Sequence, residues 1–230
     1  MSEKALVLRV CKADMTSYGG FVWPSEIGSE VVAPDWIANG KCGNGLHGWL
    51  YGQGDHGCAD HWRNSDAKWM VLEVALSDVV MLGGKCKFPR AVVRFVGYKS
   101  DAAAYIIAND PRSADVVVIG EHKSVGDNQS AIVGALGTAT AGNSGTATAG
   151  YYGTATAGYS GTATAGDYGT ATAGDYGTAT AGKKGELRIK WWDNKSERYR
   201  TAQAYIGENG IKADTPYRLN NKHEFVEVQK

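Results

Sequence analysis

The sequence has no excess of either charge: 24 Lys plus Arg balance 24 Asp plus Glu. Without an overall field, attraction to nucleic acid or to an anionic membrane surface has no electrostatic driving force, and partners of those classes are not expected. No apolar run approaches the roughly 18 residues a membrane-crossing helix needs. The opening MSEKALVLRV lacks a basic segment followed by a long apolar one, so a cytoplasmic location is expected. Cysteine is scarce, and Cys11, Cys42, Cys58 and Cys86 all fall in the first 86 residues. With no export signal they read as reduced thiols rather than as a disulfide framework. Also missing are GxxxxGK followed by Ser or Thr, GxSxG and HExxH. Nucleotide hydrolysis, acyl transfer and zinc-protease chemistry therefore lack their signatures, and no cofactor is expected.

What the chain has instead is one repeated word. From residue 137 to 182, Gly-Thr-Ala-Thr-Ala-Gly occurs six times, with two variable residues between copies. Such a period of eight points to a solenoid or array. Strict alternation over Thr-Ala-Thr-Ala is the period of a strand, placing Thr on one face and Ala on the other. The glycines with Asn, Asp, Ser or Tyr between them supply turn chemistry at every octad. No apolar stripe recurs at 3.6 residues, which excludes a helix.

The flanks show which face is inside. Ser130-Ala131-Ile132-Val133-Gly134 aligns with Thr-Ala-Thr-Ala-Gly, and Gly185-Glu186-Leu187-Arg188-Ile189 aligns with Gly-Thr-Ala-Thr-Ala. The Ala positions thus end as Val133, Leu187 and Ile189, while a Thr position ends as Arg188. Ala faces inward, and the outward face is Thr138 and Thr140, Thr146 and Thr148, Thr154 and Thr156, Thr162 and Thr164, Thr170 and Thr172, Thr178 and Thr180. One octad is too short to close a coil. Two octads make a coil of about 16 residues and two parallel sheets back to back across a narrow Ala core, with coils stacked about 4.8 Å apart. Tyr152, Tyr168 and Tyr176 sit at turns, Tyr152 and Tyr168 one coil apart on one edge.

This block resembles the Thr-Ala-Gly repeats of bacterial ice-nucleation proteins and the shorter Thr-x-Thr arrays of insect antifreeze solenoids. The resemblance implies that outward Thr, spaced about 7 Å along a strand and 4.8 Å between strands, could meet an ice surface. Octads of this kind also look like those of phage and prophage proteins.

The first 110 or so residues differ in composition. Strands are predicted at Ala5–Val10, Trp69–Leu76 and Ala91–Val96, and a short helix at Asp101–Ala108 with Ser100 as its N-cap. Gly19-Gly20, Trp23-Pro24 and Pro34-Asp35 mark loops. The stretch CGNGLHGWLYGQGDHGCADHW, residues 42–62, gathers three of the five histidines and two of the four cysteines. Cys42, His56, Cys58 and His61 could be drawn as a tetrahedral zinc set, though their spacing is no familiar pair of short motifs, and an ordinary Gly-rich loop competes with it.

Gly-Leu-His at 45–47, the strand EVALSDVVML at 73–82 and PRAVVRFVGY at 89–98 resemble an ADP-ribosyltransferase core. By that resemblance His47 stands at the family's Tyr position, Arg9 near its first-strand His, and Arg90 at its catalytic Glu; Tyr51 is a further ligand-binding candidate. A cation in place of the acid would oppose the developing oxocarbenium charge, so a non-catalytic binding domain is expected. A GLH domain followed by octads and a tail such as IKADTPYRLNNKHEFVEV (211–228) resembles an uncharacterised phage protein family, and that resemblance implies the cytoplasm of a bacterial host. Trp191-Trp192 is expected to cap the solenoid, one ring over its end and the other beneath a hairpin through Asn194-Lys195.

The expected architecture is mainly β: an α+β N-terminal domain (residues 1–112), a parallel two-sheeted β-solenoid (113–190) and a C-terminal β cap (191–230). The expected role is a non-enzymatic binding protein, its solenoid a rigid spacer and oligomerisation surface, with a host or phage protein as partner. The competing expectations are an NAD-dependent ADP-ribosyltransferase and an ice- or surface-binding array.

Overall fold

A computed structural model describes residues 3–229, which fall into two units, Met1–Ile119 and Gly120–Lys230. In the first unit, β1 (Lys4–Cys11), β2 (Glu30–Val32), β3 (Leu46–Leu50), β4 (Lys68–Ala75), β5 (Val80–Met81), β6 (Cys86–Phe88) and β7 (Arg90–Gly97) form one sheet. Its order is β2-β7-β4-β1-β3-β6-β5, and every described pairing in it is antiparallel. The apolar run ALVLRVC makes β1 a central strand covered on both faces. It pairs with β4 over its full length, from Lys4 opposite Ala75 to Cys11 opposite Lys68.

Helix α1 (Lys99–Asn109) packs on β1, β4 and β7 through the fully buried Ala102, Ala103 and Ile106. Its N-cap is Tyr98, without a side-chain cap bond. Ser100, expected in that role, instead donates to Asp101 at 3.4 Å. The helix therefore starts earlier than its sequence signal. A short α2 (Pro111–Ala114) follows. Asp110, only 2 % exposed, fastens this end to the sheet: it accepts from the Leu6 N–H at 3.0 Å and from Arg112 Nε at 2.8 Å.

Ala5, Val7 and Cys11 share a cluster with Trp23, Val31, Met70, Leu72 and Phe88. Arg9 occupies the alternate position between Val7 and Cys11, so period-2 geometry sends this cation to the same side.

The second unit is the expected parallel β-solenoid. Its strands are β8 (His122–Ser124), β9 (Ser130–Val133), β10 (Thr138–Ala141), β11 (Thr146–Ala149), β12 (Thr154–Ala157), β13 (Thr162–Ala165), β14 (Thr170–Ala173), β15 (Thr178–Ala181) and β16 (Glu186–Asp193). Even-numbered strands stack in one sheet and odd-numbered ones in the other. Thr138 pairs with Thr154 and Thr146 with Thr162, sixteen residues apart. About four coils result. Every inward Ala from Ala139 to Ala181 is at most 3 % exposed, and the register of Ser130–Val133 and Glu186–Ile189 is the one their alignment requires. The division between units falls after Ile119, and an additional strand, β8, precedes the recognisable octads.

The glycines act differently from the expectation. At each turn the left-handed residue is the second variable one, from Ser144 (φ 52) and Tyr152 (φ 53) to Tyr176 (φ 59) and Lys184 (φ 55). The repeat glycines are needed because successive coils approach too closely for a side chain. A Cβ on Gly174 would lie 2.5 Å from both C and O of Gly158, one coil below.

The C-terminal end is closed by β17 (Arg198–Tyr205), β18 (Tyr217–Leu219) and β19 (Phe225–Glu227). β17 extends the even sheet as an antiparallel partner of β16, and β18 adds to β15 through Ala179 and Tyr217. Leu187, Ile189 and Tyr217 are buried in the Ala core, with Ile206, Ile211, Leu219 and Phe225 packed against it. The expected tryptophan cap is thus corrected. Trp191 stacks on His223 (3.6 Å), while Trp192, 42 % exposed, meets Tyr199 edge-on. Leu187, Ile189 and Tyr217 seal the end because they face the Ala core; Trp191, on the same side of β16, lies beyond the last pairing, Ala173 with Ile189, and packs on His223 instead.

Candidate functional site

In the first unit, β1 and β3 are neighbours, and their Arg9 and His47 meet at a cavity. Two hollows of about 320 and 450 Å³ share Arg9, Ser17, Tyr18, Gly43 and His47 in their walls. The Arg9 guanidinium lies 4.0 Å over the ring of Trp23, whose Nε1 donates to Ser17 Oγ at 2.9 Å. Arg9 Nη1 donates to the His47 carbonyl. Arg9 Nε and His47 Nε2 are both buried without a partner. Burial, followed by the nearby Lys85, Arg9 and Lys87 charges, pushes His47 down to about 4. Its imidazole is therefore neutral at pH 7. Burial also lowers Arg9 to about 10, which leaves it charged at that pH.

The walls are held by devices that carry no motif. Lys87 is fully buried and donates to Asn39 Oδ1 (2.9 Å), Lys41 O (2.9 Å) and Gly43 O (3.2 Å), gathering the 39–43 loop. Asp35 accepts from the Gly45 N–H at 3.0 Å. Gly48 must lack a side chain, because a Cβ there would collide with Val7 Cγ1 and the Leu8 carbonyl. Opposite, Asp55 caps the next loop by accepting from Gly57 N–H at 2.8 Å, while its carbonyl accepts from Trp49 Nε1 at 2.9 Å.

Of the ligand candidates, the structure brings together Arg9 and His47 only. Tyr51 lies beneath the Arg112 guanidinium, 4.7 Å away, and does not line either hollow. Arg90 is exposed and pairs with Glu30 at 3.6 Å on the β2 side of the sheet. The zinc set is not assembled: among the described residues no three His, Cys, Asp or Glu side chains converge on a metal position. Cys42, Cys58 and His61 do line the first hollow, but His56 turns to the edge of Trp62 at 4.9 Å, and Cys58 faces Asp55 at 3.8 Å. The sequence reading missed Trp23 and Lys87, which hold the cavity's cation and loop. A lysine flanked by Cys86 and Phe88 in a strand was the only signal for Lys87.

On the solenoid, each sheet presents outward Thr in two rows of three. Thr138, Thr154 and Thr170 are in register beside Thr140, Thr156 and Thr172 on one face. Thr146, Thr162 and Thr178 lie beside Thr148, Thr164 and Thr180 on the other. The two turn edges differ. On one, Tyr152 and Tyr168 stack 4.8 Å apart with planes 1° from parallel, and Tyr151 leans on both. The other holds Tyr176, against Tyr159 at 5.5 Å. There an amide ladder climbs from Asp127 Oδ1 to the Asn143 N–H and from Asn143 Oδ1 to the Tyr159 N–H. Tyr176 is therefore separate from the Tyr152–Tyr168 ladder.

Residues 5–108 match the family described as "Domain of unknown function (DUF7666)", which covers less than half of the chain. About half of the chain, in the repeat region, is similar to ice nucleation proteins. That of Pseudomonas fluorescens is 46 % identical over 110 residues, covering 47 % of this chain and 9 % of the relative. Those of Xanthomonas campestris pv. translucens and Pseudomonas syringae are 41 % identical over 111 residues and 38 % over 115, covering 47 % and 48 % of this chain. The matched part spans at most 10 % of these relatives' own length. No solved structure matches. Among the described residues no helix is long and apolar enough to cross a membrane.

Proposed function

We propose that this chain is a non-enzymatic surface-binding protein of phage or prophage origin. In this reading the solenoid is a rigid spacer whose flat Thr faces meet a second copy, and the N-terminal unit engages a host or phage protein to block a host process or defence. The observation that carries the surface-binding part is the register of the Thr rows over six strands, β10 to β15, whose inward residues are all Ala. Close-packed inward Ala, at most 3 % exposed, holds the two sheets together and fixes the spacing of the outward rows. The phage- and host-directed part rests only on the resemblance carried by Gly-Leu-His at 45–47, the octads and the tail at 211–228. Self-association is tested by replacing the central Thr156 on one face and Thr164 on the other with Lys. Sedimentation equilibrium is expected to give a dimer for the parent chain and a monomer for one of the two variants. An unchanged mass for both variants would remove the Thr faces from the reading.

A second reading, binding of ice by the same lattice, is favoured by the similarity to ice nucleation proteins. It requires thermal hysteresis, or a raised freezing temperature, that disappears when Thr154 is replaced by Tyr.

A further inference from the structure

We propose that the Arg9–His47 cavity binds a small organic anion, with a carboxylate or phosphate on Arg9 and a neighbouring hydroxyl or N–H on His47 Nε2. This goes beyond the surface-binding reading, which concerns the solenoid, and stands or falls apart from it.

The first ground is an unmatched charge. Arg9 projects from the central strand of a packed sheet, and among the described residues no carboxylate lies within ion-pair distance of it. A desolvated cation is costly unless a counter-charge and further hydrogen bonds compensate. The protein supplies Arg9 with one carbonyl, from His47, and the face of Trp23. Its Nε–H has no acceptor. A guanidinium with its Nη1 corner already engaged retains its other edge, the pairing surface for a bidentate oxyanion.

The second ground is His47. Its ring Nε2 is buried without a partner. A neutral imidazole accepts or donates there according to its tautomer, and a hydroxyl beside the anion serves either. The two orphans together describe a ligand with both groups.

The third ground is the cavity itself. Hollows of about 320 and 450 Å³ match the lower range of small-molecule sites, roughly 300–1,000 Å³. Lys85, His61 and Asp60 add charged or polar groups in the first hollow and Asp35, which accepts from the Gly45 N–H, in the second, while Trp49, Phe21 and Trp23 supply apolar walls. Tyr18 stands 91 % exposed at the rim of both, where it could close over a bound molecule. A purely structural Arg9 would need neither the hollow nor the unpaired Nε.

The test uses the full chain and four probes: acetate, glycolate, inorganic phosphate and glycerol phosphate. Trp23 and Trp49 report occupancy by fluorescence, and amide chemical shifts report its place. Saturable binding is expected, with glycolate tighter than acetate and glycerol phosphate tighter than inorganic phosphate. The better pair identifies the headgroup as carboxylate or phosphate. Arg9→Gln should weaken binding by about tenfold or more. His47→Phe should abolish the preference of glycolate over acetate and of glycerol phosphate over inorganic phosphate. Should Arg9→Gln fail to fold, the parent's shift changes decide: they must be confined to the cavity-lining residues. No saturable binding of any probe at tens of millimolar, or changes centred elsewhere, overturns the proposal.

Discussion

Replacing Gly174 by Ala is expected to destabilise the solenoid by about 3 kcal/mol, while replacing Ser160 by Gly should cost nothing or stabilise it by up to about 1 kcal/mol. The contrast follows from where the two kinds of strain sit. Gly174 does not adopt a left-handed backbone; what excludes a methyl group is the Gly158 carbonyl carbon and oxygen, 2.5 Å from where its Cβ would be. Those atoms belong to the ladder between coils, because the Gly174 N–H donates to Gly158 O at 3.2 Å as well as to Ala157 O at 2.9 Å. They cannot withdraw without breaking it. Ser160 is the opposite case, a residue with φ 52 where glycine carries no steric penalty. Hydrogen exchange of the amides in residues 154–181 measures both effects. If the repeat glycines were chiefly turn formers, Gly174→Ala would be mild; a clear loss of protection in Ser160→Gly would contradict the left-handed assignment of that position.

Replacing Lys87 by Met is expected to cost about 3 kcal/mol and to release the 39–43 loop. The side chain is completely buried and its ammonium is satisfied by one side-chain amide and two backbone carbonyls. Methionine fills the volume but takes the donor from the Lys41 and Gly43 carbonyls and leaves Asn39 Oδ1 only the Lys41 N–H. Chemical denaturation should show the loss of stability, and limited proteolysis should show cleavage near Gly40 and Lys41 that the parent chain resists. Lys87→Arg should rescue only partly, because a planar fork does not reproduce three acceptors gathered around one nitrogen. Equal protease resistance of the parent and Lys87→Met would show that the loop is held by other contacts.

The solenoid was legible because its information is local and repeated. Alternation fixes the strand, the doubled octad fixes the coil, and Val133, Leu187 and Ile189 mark the inward face where the word degenerates. The first coil was not legible for the same reason in reverse. Lys123 stands opposite Ala139, an inward position, so β8 carries no period-2 apolar signal. The left-handed turn residue was hidden because Tyr, Ser and Lys do not announce a positive φ, whereas the neighbouring glycines falsely do. In the N-terminal unit β1, β4 and β7 were legible but β2, β3, β5 and β6 were not, and the stretch 73–82 is broken by a 3-10 turn at Leu76–Asp78 rather than forming one strand; the site depended on the unread β3 and on which strands are adjacent. Arg9 and His47 are 38 residues apart and meet only because β3 lies beside β1. Tyr51 and Arg90, equally plausible by spacing, lie elsewhere. The drawn zinc set failed because His56 and Cys58 each turn to a neighbour within their own loop. Trp23 and Lys87 act through tertiary contacts that no local pattern encodes.

The central claim is that two octads, not one, are the structural unit that lets this chain display its Thr lattice and close its end. It is tested most directly by paired cysteines sixteen and eight residues apart. Thr156→Cys with Thr172→Cys places the two thiols opposite each other on neighbouring strands, whereas Thr156→Cys with Thr164→Cys places them on different sheets. Under mild oxidation, read by peptide mapping, the first pair should form an intramolecular disulfide and the second should not. Equal yields of the two disulfides would contradict the two-octad coil and the reading built on it.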